Sequence, residues 1–194
     1  DGSQSPYELN INYLDALGDP AAAEDDDLRA RRFLAAQAIM LALRGVPGIY
    51  FHSLFGSRGW REGVAQTGHN RTINRQKLPR RQLEAELANP NSLRAKVLRP
   101  YLHLLRLRSN EAAFHPNGRQ TIHTLHPAVF AVERRDPNGN YPLLCLQNVS
   151  RQPCSLDLSP AGLGTRFTNL LDAAPVHSNP FTLPAYAIAW LKPL

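Results

Sequence analysis

The sequence predicts an α/β segment followed by a small antiparallel β domain, and two observations carry that prediction. Residues 33–43 are apolar nearly all round, reach a stop at Gly45 and Pro47, and are followed at once by a short apolar run, 46–51. A helix packed on two sides and joined by few residues to a buried strand is the back half of a βα unit, the building block of a parallel sheet. From Gly118 onward, short runs of β-branched and aromatic residues alternate with Gly, Pro, Asn and Asp, as strands joined by hairpins do. The change of texture divides the chain into residues 1–117 and 118–194.

The elements follow in order. Residues 1–20 mix Gly, Ser, Gln, Asn and Pro around an apolar island, Leu9-Asn10-Ile11-Asn12-Tyr13-Leu14, and predict a loop leading into a short ordered segment. Glu24-Asp25-Asp26-Asp27 then precedes a long stretch of helix formers. Acids there cap open amide groups and complement the positive end of the helix dipole, so a helix is expected from Leu28 to about Arg44. Gly45 suits the position after the last turn, Pro47 the stop, and 46–51 the strand. Residues 52–81 are polar and rich in Gly and Arg; so long a loop is uncommon inside a compact domain and tends to be functional.

A second helical region is expected over 83–108. Asn89-Pro90 and Asn91-Ser92 offer a break and a fresh cap within it, and Pro100 a kink or interruption. Leu93, Val97, Tyr101, Leu104 and Leu105 share one helical face. Strands are expected at 121–125, 128–133, 141–149, 167–171 and 185–191, with Asp136-Pro137-Asn138-Gly139-Asn140 as a hairpin turn. On the last of them Tyr186, Ile188 and Trp190 fall on one side, which makes Trp190 a core residue. A single strand in the first 115 residues cannot form a sheet, because its N–H and C=O groups would stay unpaired. The chain is therefore expected to be the tail of something larger, completed by strands it does not contain.

Composition narrows the function classes. With 43% hydrophobic and 8% aromatic residues the chain can bury a core, which excludes wholesale disorder. No apolar run approaches the roughly 18–20 residues of a membrane span, so no membrane partner is expected. Cys145 and Cys154 make no disulfide framework and are expected as free thiols; with no signal-like segment at Asp1-Gly2, cytoplasm is the expected compartment. Charge is uneven: residues 1–28 carry −8, 29–118 carry +12 and 119–194 carry +2. The basic middle lacks any nucleic-acid motif, and its arginines are expected to pair with the acidic start rather than with phosphate backbones. The histidines, including His123 and His126, show no third ligand at metal spacing, and no nucleophile elbow is present, so neither metal nor cofactor is expected. Trp60, in the Gly-rich loop, is left open between stacking on a sugar and packing.

Three stretches resemble the α-amylase superfamily, glycoside hydrolase family 13. Gly45-Val46-Pro47-Gly48-Ile49-Tyr50-Phe51 is similar to its eighth barrel strand, the helical region after it to the last barrel helix, and the β tail to its C-terminal β domain. Ser5-Pro6-Tyr7-Glu8-Leu9-Asn10-Ile11-Asn12-Tyr13 and Asn70-Arg71-Thr72-Ile73-Asn74-Arg75, flanking that strand in this order, narrow the resemblance to the sucrose phosphorylase subfamily, which includes glucosylglycerate phosphorylases. The resemblance implies the last βα elements of a (β/α)8 barrel over 1–117 and an antiparallel β-sandwich-like domain over 118–194.

It also implies transfer of a glucosyl group from an α-glucoside to inorganic phosphate with retention. Retention uses two carboxyl groups about 5 Å apart. On this alignment they lie before Asp1, in the missing N-terminal barrel portion, so no catalytic residue is carried over and the segment alone is expected to be inactive. What is carried over is recognition: Arg71 at the glucosyl subsite, and Ser5, Tyr7 and Glu8 in the loop that shapes the acceptor subsite. Several sucrose phosphorylases have Gln where Glu8 stands and Asp where Ser5 stands, and Tyr-Glu-Leu-Asn is closer to the glucosylglycerate type. A hydrolase or transglucosidase of the same fold, and a non-catalytic β module binding carbohydrate or a partner, are the alternatives.

Overall fold

The computed structural model describes residues 9–19 and 21–194. A short turn, α1 (Tyr13–Ala16), leads to α2 (Asp26–Ala42), where the Asp25 carboxylate accepts the Asp27 amide at 3.2 Å. The helix starts two residues before the expected Leu28 because Asp26 and Asp27 lie inside the first turn, near the positive end of the dipole. It ends at Ala42, and Gly45 takes φ +111°, in the region that favours glycine.

Residues 46–50, expected as a strand, form no regular element and pair with no strand among the described residues. Val46 is 82% and Tyr50 52% exposed. A strand needs a neighbour for its backbone groups, and this one has none here. Phe51, counted at its end, instead opens α3 (Phe51–Leu54). The long loop that follows is not structureless either: it folds into α4 (Arg61–Thr67) and a 3-10 turn at Asn70–Asn74 before α5 (Arg80–Ala88). The expected break at Asn89-Pro90 separates α5 from α6 (Leu93–Asn110), whose Ser92 cap accepts the Ala95 amide at 3.1 Å. Pro100 sits inside α6 without ending it; one lost backbone bond is tolerated where the helix is packed along its length.

The β region contains β1 (Arg119–His126), β2 (Val129–Arg135), β3 (Leu143–Asn148), β4 (Cys154–Leu156), β5 (Arg166–Asn169), β6 (Pro175–His177), β7 (Phe181–Leu183) and β8 (Ile188–Pro193). Six form one sheet in the order β1-β2-β3-β8-β5-β6, every pair antiparallel, and β4 pairs with β7 separately. The β2–β3 hairpin closes on Asp136, whose side chain accepts the Asn140 amide at 2.6 Å while Gly139 takes φ +90°. Strands β4, β6 and β7 escaped the sequence reading because three residues are too few to show a period of two.

Alternation along the central strands makes three layers. Leu143, Cys145, Val132 and Trp190 face α2 and α6, where Phe33, Leu41, Val97, Tyr101 and Leu104 meet them. Leu144, Leu146, Ala189 and Leu191 face the opposite way, onto the β4–β7 pair with Cys154, Leu156 and Leu183. Trp190 is fully buried, as its place on β8 predicted, with its ring 4.6 Å from Phe114. Both cysteines are free and buried, and burial pushes the Cys145 thiol well above its ordinary range. Tyr186 departs from the expected strand: it precedes β8 with φ +53°.

Charge pairing follows the sequence. Glu24 receives Arg32 at 2.7 and 2.6 Å and Arg151 at 3.1 Å, while Asp26 holds Arg29 at 2.6 Å and Asp27 holds Lys96 at 2.9 Å. The Arg32 hydrogen bonds hold the Glu24 carboxyl below its ordinary value.

Arg134 is 0% exposed and donates to the carbonyls of Ala42 at 2.9 Å, His115 at 3.0 Å and Arg119 at 3.2 Å. It thereby closes the C-terminal end of α2, whose last carbonyls lack helical partners, onto β2. Replacing Arg134 with Lys leaves a compact cation that cannot reach all three acceptors, so chemical denaturation should show a loss of about 2–4 kcal/mol. A change below about 0.5 kcal/mol would mean that this buried cation contributes nothing to the joint.

Candidate substrate-binding site

The segment 52–76 folds back on itself through a few bonds between its two limbs. The Trp60 amide donates to the Ile73 carbonyl at 2.9 Å, Thr67 and Thr72 hydroxyls meet at 2.9 Å, and Tyr50 Oη donates to the Asn74 carbonyl at 2.6 Å. At its root Gly56 takes φ +56° and packs so closely on α6 that a Cβ there would lie 2.7 Å from Val97 Cγ2. Arg94 of α6 donates to the Ser57 hydroxyl at 2.8 Å and the Phe55 carbonyl at 3.2 Å, and pairs with Glu86 of α5. A cleft of about 330 Å³ lies between this loop and the start of α6, lined by Arg58, Trp60, Glu62, Gln76, Glu86 and Arg94.

A third set of bonds comes from the start of the chain. Asn12 Nδ2 donates to the Arg58 carbonyl at 2.7 Å and the Ser57 carbonyl at 3.3 Å. Asp15 accepts the Gly59 amide at 2.7 Å and Arg58 Nε at 3.0 Å. Sequence reading placed Asn12 in an apolar island and in a family-like motif, and gave neither it nor Asp15 a role of its own. The available signal was polar Asn12 and Asp15 set three residues apart in a segment rich in Leu, Ile and Tyr.

Of the residues expected in the site, Arg71 sits in the 3-10 turn Asn70–Asn74 and is exposed. The turn is fixed by the Thr72 amide on the His69 carbonyl and the Arg75 amide on the Thr72 carbonyl, both at 3.0 Å. A guanidinium so presented offers a planar fork of donors suited to paired hydroxyls or a carboxylate. Ser5, Tyr7 and Glu8 lie outside the described residues. Trp60 lines the cleft, half-buried.

No protein-family model matches the chain. It is 44% identical over 200 residues to a glucosylglycerate phosphorylase of Spirochaeta thermophila, covering 97% of this chain and 34% of that protein. It is 34% identical over 192 residues to the glucosylglycerate phosphorylase of Escherichia coli K12, covering 99% of this chain and 33% of the relative. A pullulanase from Anoxybacillus sp. LM18-11, crystallised with maltotetraose, superposes with a TM-score of 0.66 at 15% identity over 95% of this chain and 26% of its own. The chain belongs to glycoside hydrolase family 13. Within that family it corresponds to a C-terminal part of the sucrose and glucosylglycerate phosphorylase type, and it spans about a third of the length of the curated relatives it matches. Its fold is that of the barrel end and C-terminal domain of the amylase-like members. No helix among the described residues is long and apolar enough to cross a membrane.

His52 anchors the loop root and carries a pH signature. Its Nδ1 lies 3.0 Å from the Ser57 hydroxyl, which already accepts from Arg94 and so has its own proton free for the ring. Burial, and then the nearby Arg94 charge, hold the imidazole below its ordinary value of 6.5, against the raising effect of a Gln76 backbone bond. The unfolded chain takes up a proton near 6.5 that the folded chain refuses, so His52 costs stability as pH falls below that value, until the folded ring itself titrates. The difference in Tm between wild type and His52→Asn should therefore narrow as pH is lowered from 7.5 to 5.5. A difference independent of pH would mean that the ring does not stay neutral in the fold.

Proposed function

We propose that this chain is the C-terminal part of a retaining α-glucoside phosphorylase, acting on a glucosylglycerate-type donor and giving α-glucose 1-phosphate from inorganic phosphate. The observation that carries the reading is the likeness, at 34% and 44% identity across nearly the whole chain, to two glucosylglycerate phosphorylases. Residues 1–117 would be the end of the (β/α)8 barrel, with 118–194 as the C-terminal β domain. The 46–50 segment would be the eighth barrel strand, pairing with neighbours in the preceding part of the protein. Its exposed Val46 and Tyr50, and the groove beside α2 lined by Leu17, Ala36 and Ile39, support that assignment: they give the preceding portion places to pack. Cytoplasm is the compartment we assign, since both thiols are free.

The reaction would be a double displacement. A carboxylate of the preceding portion attacks the anomeric carbon while a second carboxyl protonates the leaving glycerate oxygen; phosphate then attacks from the face that glycerate left, opposite the carboxylate, and displaces it, which restores the α configuration. This chain's share is recognition. Arg71 would donate paired hydrogen bonds to glucosyl hydroxyls and neighbouring carboxylates, holding their charge and geometry, and Ser5, Tyr7 and Glu8 would shape the subsite that takes glycerate and then phosphate.

The complete protein, incubated with 2-O-α-glucosylglycerate and inorganic phosphate, should release α-glucose 1-phosphate, and sucrose should be a poor donor. Release of free glucose at a rate indifferent to phosphate would replace this reading with a hydrolase. Arg71→Ala should lower kcat/KM by about 100-fold, as loss of charge-assisted bonds at a sugar would, and Arg71→Lys should recover only part of it. An Arg71→Ala protein within about twofold of wild type would remove Arg71 from the subsite.

A further inference from the structure

Asn12 and Asp15 are polar side chains in a place that gives them little water: each is only 6% exposed. Burying an amide and a carboxylate is unfavourable unless their hydrogen bonds are met, and here they are met by three consecutive residues of another segment. Asn12 holds the Ser57 and Arg58 carbonyls, and Asp15 holds the Arg58 guanidinium and the Gly59 amide. The approach is close, since a Cβ on Gly59 would lie 3.3 Å from Asp15 Oδ2 and 3.0 Å from Ile73 Cγ1. The next bond along the loop runs from the Trp60 amide to the Ile73 carbonyl at 2.9 Å, and Ile73 belongs to the same 3-10 turn as Arg71. A short chain of contacts thus leads from Asp15 through Gly59, Trp60 and Ile73 to the turn that presents Arg71.

We propose that Asn12 and Asp15 are positioning residues: a buried clamp that sets the loop 57–76, and with it the turn that presents Arg71. The proposal rests on the assignment of Arg71 made above. With the clamp in place the loop is held in its binding-competent position before substrate arrives. Without it, a fraction of molecules carries Arg71 elsewhere, and the apparent affinity for the glucoside falls by that fraction. Neither side chain needs to touch the reacting atoms, so the bound complex still turns over.

The test is made on the complete protein. Asp15→Ala should raise KM for the α-glucoside about tenfold while kcat stays within about threefold. Asp15→Asn keeps an acceptor for the Gly59 amide but not a charge for Arg58, and should fall between wild type and Asp15→Ala. Amide hydrogen exchange should quicken across 57–76 and stay unchanged in the β domain. Unchanged exchange across 57–76, or faster exchange there with an unaltered KM, overturns the clamp. Loss of protection along the entire chain together with a fall in kcat also overturns it, in favour of general stability. If Asp15→Ala does not fold, Asn12→Ala and Asp15→Asn carry the same comparison. A wild-type protein without phosphate-dependent turnover defeats the function reading instead, and the exchange at 57–76 then decides the clamp by itself.

Discussion

The constraint on which this structure turns is the covering of α2. No residue from 32 to 42 is exposed, although the helix spans nearly five turns, so one neighbouring layer is not enough for it. Helix α6 takes one side through Val97, Tyr101 and Leu104, and the six-stranded sheet takes another through Val132, Leu143, Cys145 and Trp190. Because β2, β3 and β8 alternate, their opposite face is also apolar and needs its own cover, which the β4–β7 pair supplies. A helix too apolar for a surface thus dictates the order of layers: helices, sheet, short strand pair.

Polar groups settle how those layers are joined. Carbonyls at the end of α2 would be left without partners inside the joint, and two guanidiniums meet them: Arg134 from β2 at Ala42, and Arg108 from α6 at Leu41 and Gly45, both at 2.8 Å. Both cations lie over the Phe114 ring, at 5.1 and 6.0 Å. At the other end of α2, Glu24 gathers Arg32 and Arg151. Arg151 is 65% exposed and its pair adds little, whereas the Arg32–Glu24 fork is shielded and bidentate. The abundance of arginine in the middle of the chain is therefore put to structural use at several points, and a planar group with five donors suits carbonyl ends better than lysine would.

The loop 52–76 follows a different principle. Residues 52–76 have few apolar side chains to bury, so their shape rests on hydrogen bonds to neighbours: His52 and Arg94 at the root, Asn12 and Asp15 at the bend, and Tyr50 at the far limb. Positioned in this way, an exposed arginine is presented by a local turn whose own bonds are short-range, on a base held from three sides.

What the sequence by itself determined was everything governed by local rules or by periodicity. The Asp25 and Ser92 caps, the end of α2 near Gly45, the turn at Asp136 to Asn140, the buried face of α6 and the core position of Trp190 all follow from side-chain chemistry within a few residues, and all are present. The family was legible too, through motifs on either side of one apolar run. Tertiary structure decided the rest. Only a neighbour makes a strand, so 46–50 forms none here; and the polar stretch 52–76 is held at its root by packing on α6 and at 57–59 by bonds to Asn12 and Asp15. Those contacts join residues about 45 positions apart, and no window of sequence short enough to read contains both ends of them.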